Sequence, residues 1–229
     1  ILGASFSEDL GGLGGSQVDN LIIMEEFGKA LVVEPYLGAV VVAGAFIRLA
    51  PWAGAEDLAG EIIAGTALPA FAYAEPQGRY TWHDLKTTAK KDGGSYVLNG
   101  AKAVSIGAPW ATHLIVTART GGGQRDAQGV SVFVVEKEPV SGHAFALEQP
   151  GGGKVDGRAI DTIGYRGLHS FEVSFSDWFV PAENLVGAVN DGWRLAKVTL
   201  GNERVSLSTG GVPWGNGPTA LEMIDSIRE

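Results

Sequence analysis

Hydrophobic periodicity changes twice along this chain, and that order limits the folds open to it. Apolar residues recur near a 3.6-residue period up to about Leu68, shift to strand-like patterns between Phe71 and Phe175, and return to the helical period after Pro181. Helices, then strands, then helices argue for an α+β arrangement of separate layers or domains.

In the first part, Ser16 caps a predicted helix with apolar positions Val18, Leu21, Ile22, Met24, Phe27 and Leu31, which Gly28 weakens near its end. Pro35 suits the first turn of a second helix through Val40, Val41, Val42 and Phe46 to Leu49, stopped by Pro51. A third, short helix is predicted from Glu56 to Ala64, closed by Gly65 and Pro69.

In the second part, Tyr96-Val97-Leu98, Asn99-Gly100 and Ala101 to Ile106 read as a β-hairpin, because Asn-Gly accepts the positive φ angles of a type I′ turn. Strands are predicted at His113 to Thr117, Val130 to Val135 and Phe171 to Phe175, with weaker ones from His143 to Leu147 and Arg158 to Ile163. Such spacing, with glycine-rich turns at Gly121-Gly122-Gly123 and Gly151-Gly152-Gly153, indicates an antiparallel sandwich or barrel. The helical period then resumes with Trp193, Leu195, Ala196, Val198, Leu200, Val205 and Leu207. Gly210-Gly211 and Pro213 break it, and a last amphipathic stretch runs from Ala220 to Ile227.

Several function classes are disfavoured. The formal charge of -9, without clustered Lys or Arg, argues against a nucleic-acid partner. The absence of cysteine excludes disulfides, thiolate nucleophiles and Cys-ligated metals, and makes cytoplasm the default compartment. The most apolar run, Leu37 to Ala50, is shorter than the roughly 20 residues needed to cross a bilayer. Ile1-Leu2-Gly3-Ala4 lacks the basic start of a signal peptide, and the chain reads as a segment of something longer. Gly12-Leu13-Gly14-Gly15-Ser16-Gln17 lacks the third glycine of a dinucleotide fingerprint, and neither triglycine precedes a phosphate-loop Lys. His83, His113, His143 and His169 form no i, i+4 pair, so no metal site is expected. A Gly-x-Ser-x-Gly nucleophile elbow is absent.

The chemistry is placed at Leu200-Gly201-Asn202-Glu203-Arg204-Val205, where a carboxylate beside an arginine interrupts an apolar helical pattern. Taken alone, Glu-Arg on a helix is more often a solvated face or a structural ion pair. Asp161, Glu172 and Asp177 read as surface carboxylates, and Trp193 and Trp214 as packing residues.

Four segments in order resemble the acyl-CoA dehydrogenase family: Gly11-Gly12-Leu13-Gly14-Gly15 with Met24-Glu25-Glu26-Phe27-Gly28; Phe71-Ala72-Tyr73-Ala74-Glu75-Pro76, similar to its "T-E-P" flavin strand; Tyr96-Val97-Leu98-Asn99-Gly100-Ala101-Lys102, continuing to Thr117-Ala118-Arg119-Thr120; and Val180-Pro181-Ala182-Glu183-Asn184-Leu185-Val186-Gly187, similar to "V-P-x-E-N-L-x-G". The resemblance implies an N-terminal helical domain (1–68, incomplete at its start), a middle β domain (69–187) and the opening of a C-terminal helical bundle (188–229). FAD would lie at their junction.

By position, the resemblance sets Phe71, Tyr73, Ala74, Val104, Ser105 and Ile106 along the flavin. The family commonly has Thr at the place of Ala74 and an aromatic plus a Thr around Val104 and Ile106, so side-chain contacts differ here and backbone groups would serve the flavin's polar edge. The family's Gly-Ser-Asp after the proline is replaced by Gln77-Gly78-Arg79-Tyr80-Thr81. Arg79, Tyr80 and Arg204 are the implied substrate-binding residues, Arg79 towards a phosphate. Glu203, immediately before Arg204, matches the base position of a subset that includes the isovaleryl and long-chain enzymes. The implied activity is α,β-dehydrogenation of an acyl-CoA thioester in fatty acid or lipid catabolism. The implied partners are an electron-transfer flavoprotein and further subunits of a homo- or hetero-oligomer, a tetramer. A non-catalytic partner subunit, or a flavin oxidase or monooxygenase on the same scaffold, are the alternatives; the acyl chain is not legible.

Overall fold

The computed structural model describes residues 1–30, 32–164 and 166–208. Trp214, the break at Gly210-Gly211 and Pro213, and the stretch from Ala220 to Ile227 lie outside the described residues, as do Leu31 and the side chains of Val205 and Leu207.

Helix α1 (Gln17–Lys29) starts as its cap predicts: the Val18 amide donates to Ser16 Oγ at 3.1 Å, and the Ser16 amide donates to Asp19 Oδ2 at 2.6 Å. Its buried face differs from the expected one. Asn20, Met24 and Gly28 face inward, whereas Val18 and Ile22 are exposed. Asn20 is tolerated there because its side-chain oxygen accepts a 2.9 Å hydrogen bond from the Tyr36 hydroxyl.

The second predicted helix is two elements, a π-helical segment (Leu37–Val42) running into α2 (Ala43–Leu49), buried continuously from Ala39 to Phe46. Helix α3 (Ala55–Ala64) ends at Gly65, whose φ of 77° is the left-handed conformation a glycine cap supplies.

Among the described residues nine strands follow: β1 (Pro69–Ala72), β2 (Thr88–Asp92), β3 (Ser95–Ile106), β4 (His113–Arg119), β5 (Val130–Glu136), β6 (Ala144–Glu148), β7 (Lys154–Ala159), β8 (Ser170–Pro181) and β9 (Leu185–Val186). Pairing runs β6-β7-β8-β3-β2-β4-β5-β9, with β1 added beside β4. The sheet is antiparallel except where β4 pairs in parallel with β1 and β2. Strands β4 and β5 are buried along almost their whole length, which accounts for their unbroken apolar runs.

Two strand expectations need correction. Asn99-Gly100 is not a hairpin turn but lies inside the continuous strand β3, and the turn into β3 is Gly93-Gly94. The dipeptide marks a register shift against β8. There the Asn99 side chain pairs with Asp177, and Gly100 (φ 145°) passes so close to Thr87 that a Cβ would lie 2.5 Å from its Cα. The weaker strand placed at Arg158 to Ile163 is instead Lys154–Ala159, whose inward residues Val155 and Gly157 set its register, and Ile163 is fully exposed.

Helix α4 (Gly192–Ser208) follows the last strand. Leu195, Ala196 and Leu200 are buried and Val198 is exposed. One core joins the helical residues Met24, Val40, Phe46 and Ile62 to Leu195 and Leu200 of α4 and to Phe71, Ile115 and Val134 of the sheet. A second lies on the other side of the sheet, around Leu98, Leu114, Phe133, Phe171 and Trp178. The end of β1 and its continuation, Tyr73 to Pro76, therefore run between helices and sheet.

Candidate active site

That continuation is fixed by an ion pair. Lys102 Nζ lies 2.7 Å from Glu75 Oε1, with side-chain exposures of 0% and 1%. Alternation along β3 puts Lys102 on the same inward face as Tyr96 and Leu98, where a lone ammonium is costly. Here Lys102 also approaches Thr117 Oγ1 at 3.2 Å and the Tyr73 carbonyl at 3.4 Å. Glu75 accepts from the Lys86 amide at 2.7 Å, the Thr87 amide at 3.1 Å and Gln77 Nε2 at 2.7 Å. Burial pushes the Glu75 carboxyl up, but the Lys102 charge and these donors outweigh it and hold the carboxyl below its usual range. With the Ala103 amide donating to the Ala74 carbonyl at 2.8 Å, Tyr73-Ala74 is held against Ala103-Val104. Neither Glu75 nor Lys102 carried an expected role. The signal that finds Lys102 is a charged residue in the inward phase of an alternating strand; Glu75, beyond the end of β1, has no such marker.

Between Lys102 and Ser105, two residues of β3 oppose one of β8, a β-bulge. Val104 sits in it at φ 56° and is 52% exposed, an unfavourable conformation for a β-branched residue. The bulge reverses the side-chain phase. Val104 faces out, Ile106 is half-buried, and Ser105 is completely buried with a hydroxyl that has no hydrogen-bond partner among the described residues. Of the residues expected along a flavin, Phe71 is buried beneath Tyr73, their rings stacked at 4.7 Å, while Tyr73, Ala74, Val104 and Ile106 reach accessible surface. These apolar groups fit the faces of an isoalloxazine ring. Its polar edge would be met by main-chain groups, since Ala74, Val104 and Ile106 have no polar side chain and Ser105 is sealed.

Tyr73 continues an aromatic series. Phe71 meets Phe46 edge-on at 5.1 Å, Tyr73 meets Trp82 at 6.2 Å, and Trp82 meets Trp193 of α4 at 6.4 Å. Trp193 packs on Trp82 and His83, a packing role as expected. Three turns along α4 from Trp193, the Arg204 guanidinium carbon lies 4.3 Å above the Trp82 ring. Glu203 is half-buried beside it. Burial pushes the Glu203 carboxyl above its ordinary range, against the smaller opposing charge of Arg204. Burial likewise raises the Tyr73 phenol, and the Glu203 carboxylate adds to that rise. Glu203, Arg204 and Tyr73 thus lie within electrostatic reach of one another. A partly desolvated carboxylate next to an accessible apolar strand edge can act as a general base on a carbon acid.

The remaining predicted residues lie elsewhere. Arg79 and Tyr80 are exposed on the turn after Pro76, Tyr80 at 96%, and Arg79 has a φ of 46°. Sequence reasoning also missed Arg119, a buried residue whose guanidinium donates to the carbonyls of His83, Gln124, Asp126 and Gln128 at 2.7–2.9 Å. It thereby anchors the loop carrying Trp82. Asp161, Glu172 and Asp177 are exposed. His143 stacks on His169 at 4.9 Å, and no group of His, Asp and Glu suited to a metal occurs among the described residues. None of the described helices is long and apolar enough to cross a membrane.

Residues 70–178 match the family described as "Acyl-CoA dehydrogenase, middle domain". Over 99% of its length the chain is 29% identical to acyl-CoA dehydrogenase FadE29 of Mycobacterium tuberculosis, covering 59% of that protein. Over 97% it is 28% identical to (2S)-methylsuccinyl-CoA dehydrogenase of Cereibacter sphaeroides, covering 40%. Its fold superposes on butyryl-CoA dehydrogenase from Megasphaera elsdenii with a TM-score of 0.77 and 26% identity, covering 91% of this chain and 52% of that one. The chain spans about half the length of the relatives it matches.

Proposed function

Because this chain belongs to the acyl-CoA dehydrogenase family, we propose that the protein carries out flavin-dependent α,β-dehydrogenation of an acyl-CoA thioester, with Glu203 as the base. The carrying observation is the partly buried carboxylate on α4, raised by its burial and facing Tyr73 at the helix–sheet junction. An α proton of a thioester is weakly acidic, so the base must be strong and the developing charge on the carbonyl must meet fixed donors. Desolvation keeps Glu203 basic once a substrate excludes water. FAD, when bound, accepts the hydride equivalent that leaves the β carbon. Tyr73-Ala74 and Val104 to Ile106 would hold it, at the spacing that Glu75 and Lys102 set. Arg204 is assigned to the substrate side of the site, and Arg79 and Tyr80 to the outer part of the CoA moiety.

The same reading divides the chain into a helical domain (1–68), a β domain (69–187) and the start of a second helical domain (188–229). It also assigns an electron-transfer flavoprotein as oxidant and an oligomer, homo- or heteromeric, as the working form. A second reading, a partner subunit that keeps the fold without catalysing, is favoured by one observation: no side chain at Ala74, Val104 or Ile106 offers a hydrogen bond, and the Ser105 hydroxyl is sealed.

The test uses the full-length protein. Its visible spectrum is recorded, and acyl-CoA thioesters are added anaerobically. A yellow protein that bleaches with one of them supports the dehydrogenase. A protein that stays colourless when supplied with FAD supports the partner subunit.

A further inference from the structure

Glu203 and Arg204 are adjacent on α4, so their side chains leave the helix about 100° apart. Both are long enough to fold together, and a paired carboxylate would be a poorer base. Among the described residues, Glu203 forms no salt bridge. The Arg204 guanidinium lies instead over the Trp82 indole, at 4.3 Å. Trp82 is itself fixed from three sides: edge-on against Tyr73, against Trp193 at the start of the same helix, and through the loop whose His83 carbonyl accepts from Arg119 at 2.7 Å. We propose that Trp82 is a positioning residue, whose indole face holds the Arg204 guanidinium away from Glu203 and leaves that carboxylate unpaired. This rests on Glu203 being the base, but the geometry exists without substrate or cofactor.

The surroundings of Glu203 are consistent with this. Tyr73 is the titratable group facing it from the sheet side, Arg204 is the charge on its own helix, and Lys197 lies over the Trp193 ring at 5.6 Å. The π-helical segment Leu37–Val42, packed against α4, carries no charged residue, and no charge on α1, α2 or β5, the other elements packed against α4, enters the influences on its ionisation, which are burial and then Arg204. A close opposite charge lowers a carboxyl pKa by about 1–3 units, so the placement of one guanidinium decides the strength of this base.

The experiment titrates the Glu203 carboxyl directly, by NMR of protein carrying 13C-labelled glutamate, assigned with Glu203→Gln. Trp82→Leu removes the platform and frees Arg204 to pair; the Glu203 pKa should fall by about one unit. Trp82→Phe keeps a ring face and should restore most of the wild-type value. Adding Arg204→Gln to Trp82→Leu should abolish the fall. A fall that persists in the double variant means that water, not Arg204, reached the carboxyl, and overturns the proposal, as does no change in Trp82→Leu. Should that variant not fold, Arg204→Gln alone decides. A guanidinium already held off predicts a rise of less than about half a unit, and a rise of a full unit or more overturns the proposal. The titration needs no activity, so it can succeed or fail whether or not the protein dehydrogenates acyl-CoA.

Discussion

Glu75 and Lys102 form an ion pair at 2.7 Å with both side chains out of contact with water, and it ties the segment after β1 that bears Tyr73 to the strand bearing Val104. Removing one partner strands the other charge in the interior. Lys102→Met is expected to cost about 3–5 kcal/mol in urea unfolding, and the double variant Glu75→Gln, Lys102→Met to recover much of it. Equal losses in the single and double variants would show that the charges are not coupled.

The same pair sets an acid limit on stability. Glu75 has a folded pKa below its ordinary 4.5, so it binds fewer protons folded than unfolded near that value. Its contribution is present above the unfolded pKa and is lost as pH falls through the folded one. Urea midpoints measured from about pH 6 down to about pH 3 should drop less steeply for Glu75→Gln than for the wild type.

Gly100 is confined by Thr87. A Cβ at that position would lie 2.5 Å from the Thr87 Cα, at a φ of 145° that side-chain-bearing residues rarely adopt. Gly100→Ala should therefore cost about 2 kcal/mol or more, read as a lower urea midpoint. A neutral substitution would mean that β3 does not run straight through Asn99-Gly100.

Arg119→Met leaves four carbonyls without their common donor. Hydrogen exchange should quicken in residues 83–85 and 124–128 more than in β4 and β5, because the freed groups belong to loops. Uniform acceleration would place the role of Arg119 in global stability.

Much of the fold was legible because one face of each element carries the signal. Ser16 announced the start of α1, and the apolar runs of β4 and β5 announced strands, which the structure buries along almost their whole length. Asn99-Gly100 misled because a dipeptide that suits a hairpin turn equally suits a bulge, and the distinction lies in Thr87 and Asp177, far away in sequence. Val18 and Ile22 misled because α1 is apolar on two sides and only tertiary packing chooses Asn20, Met24 and Gly28. At the candidate site, Glu203 stood out as a charge in an apolar helix. Trp82 did not, since its contacts with Tyr73, Trp193 and Arg204 join three distant segments. The burial of Ser105 was not legible, because the bulge that turns its side chain inward has no marker in sequence.

Under the proposed function, the pH dependence of the reaction follows from Glu203. Its folded pKa is raised, so protonation is favoured in the fold, and the acid limb of flavin reduction should lie above the ordinary carboxyl value of 4.5. Reduction rates fall below that limb because the base is then occupied by a proton.

The central claim is the role of that carboxylate, and Glu203→Gln in the full-length protein tests it most directly. Rapid anaerobic mixing with the best acyl-CoA thioester should leave flavin content unchanged and slow flavin bleaching by about 10²–10⁴-fold relative to the wild type. Bleaching at the wild-type rate would contradict the account and place the base on another residue.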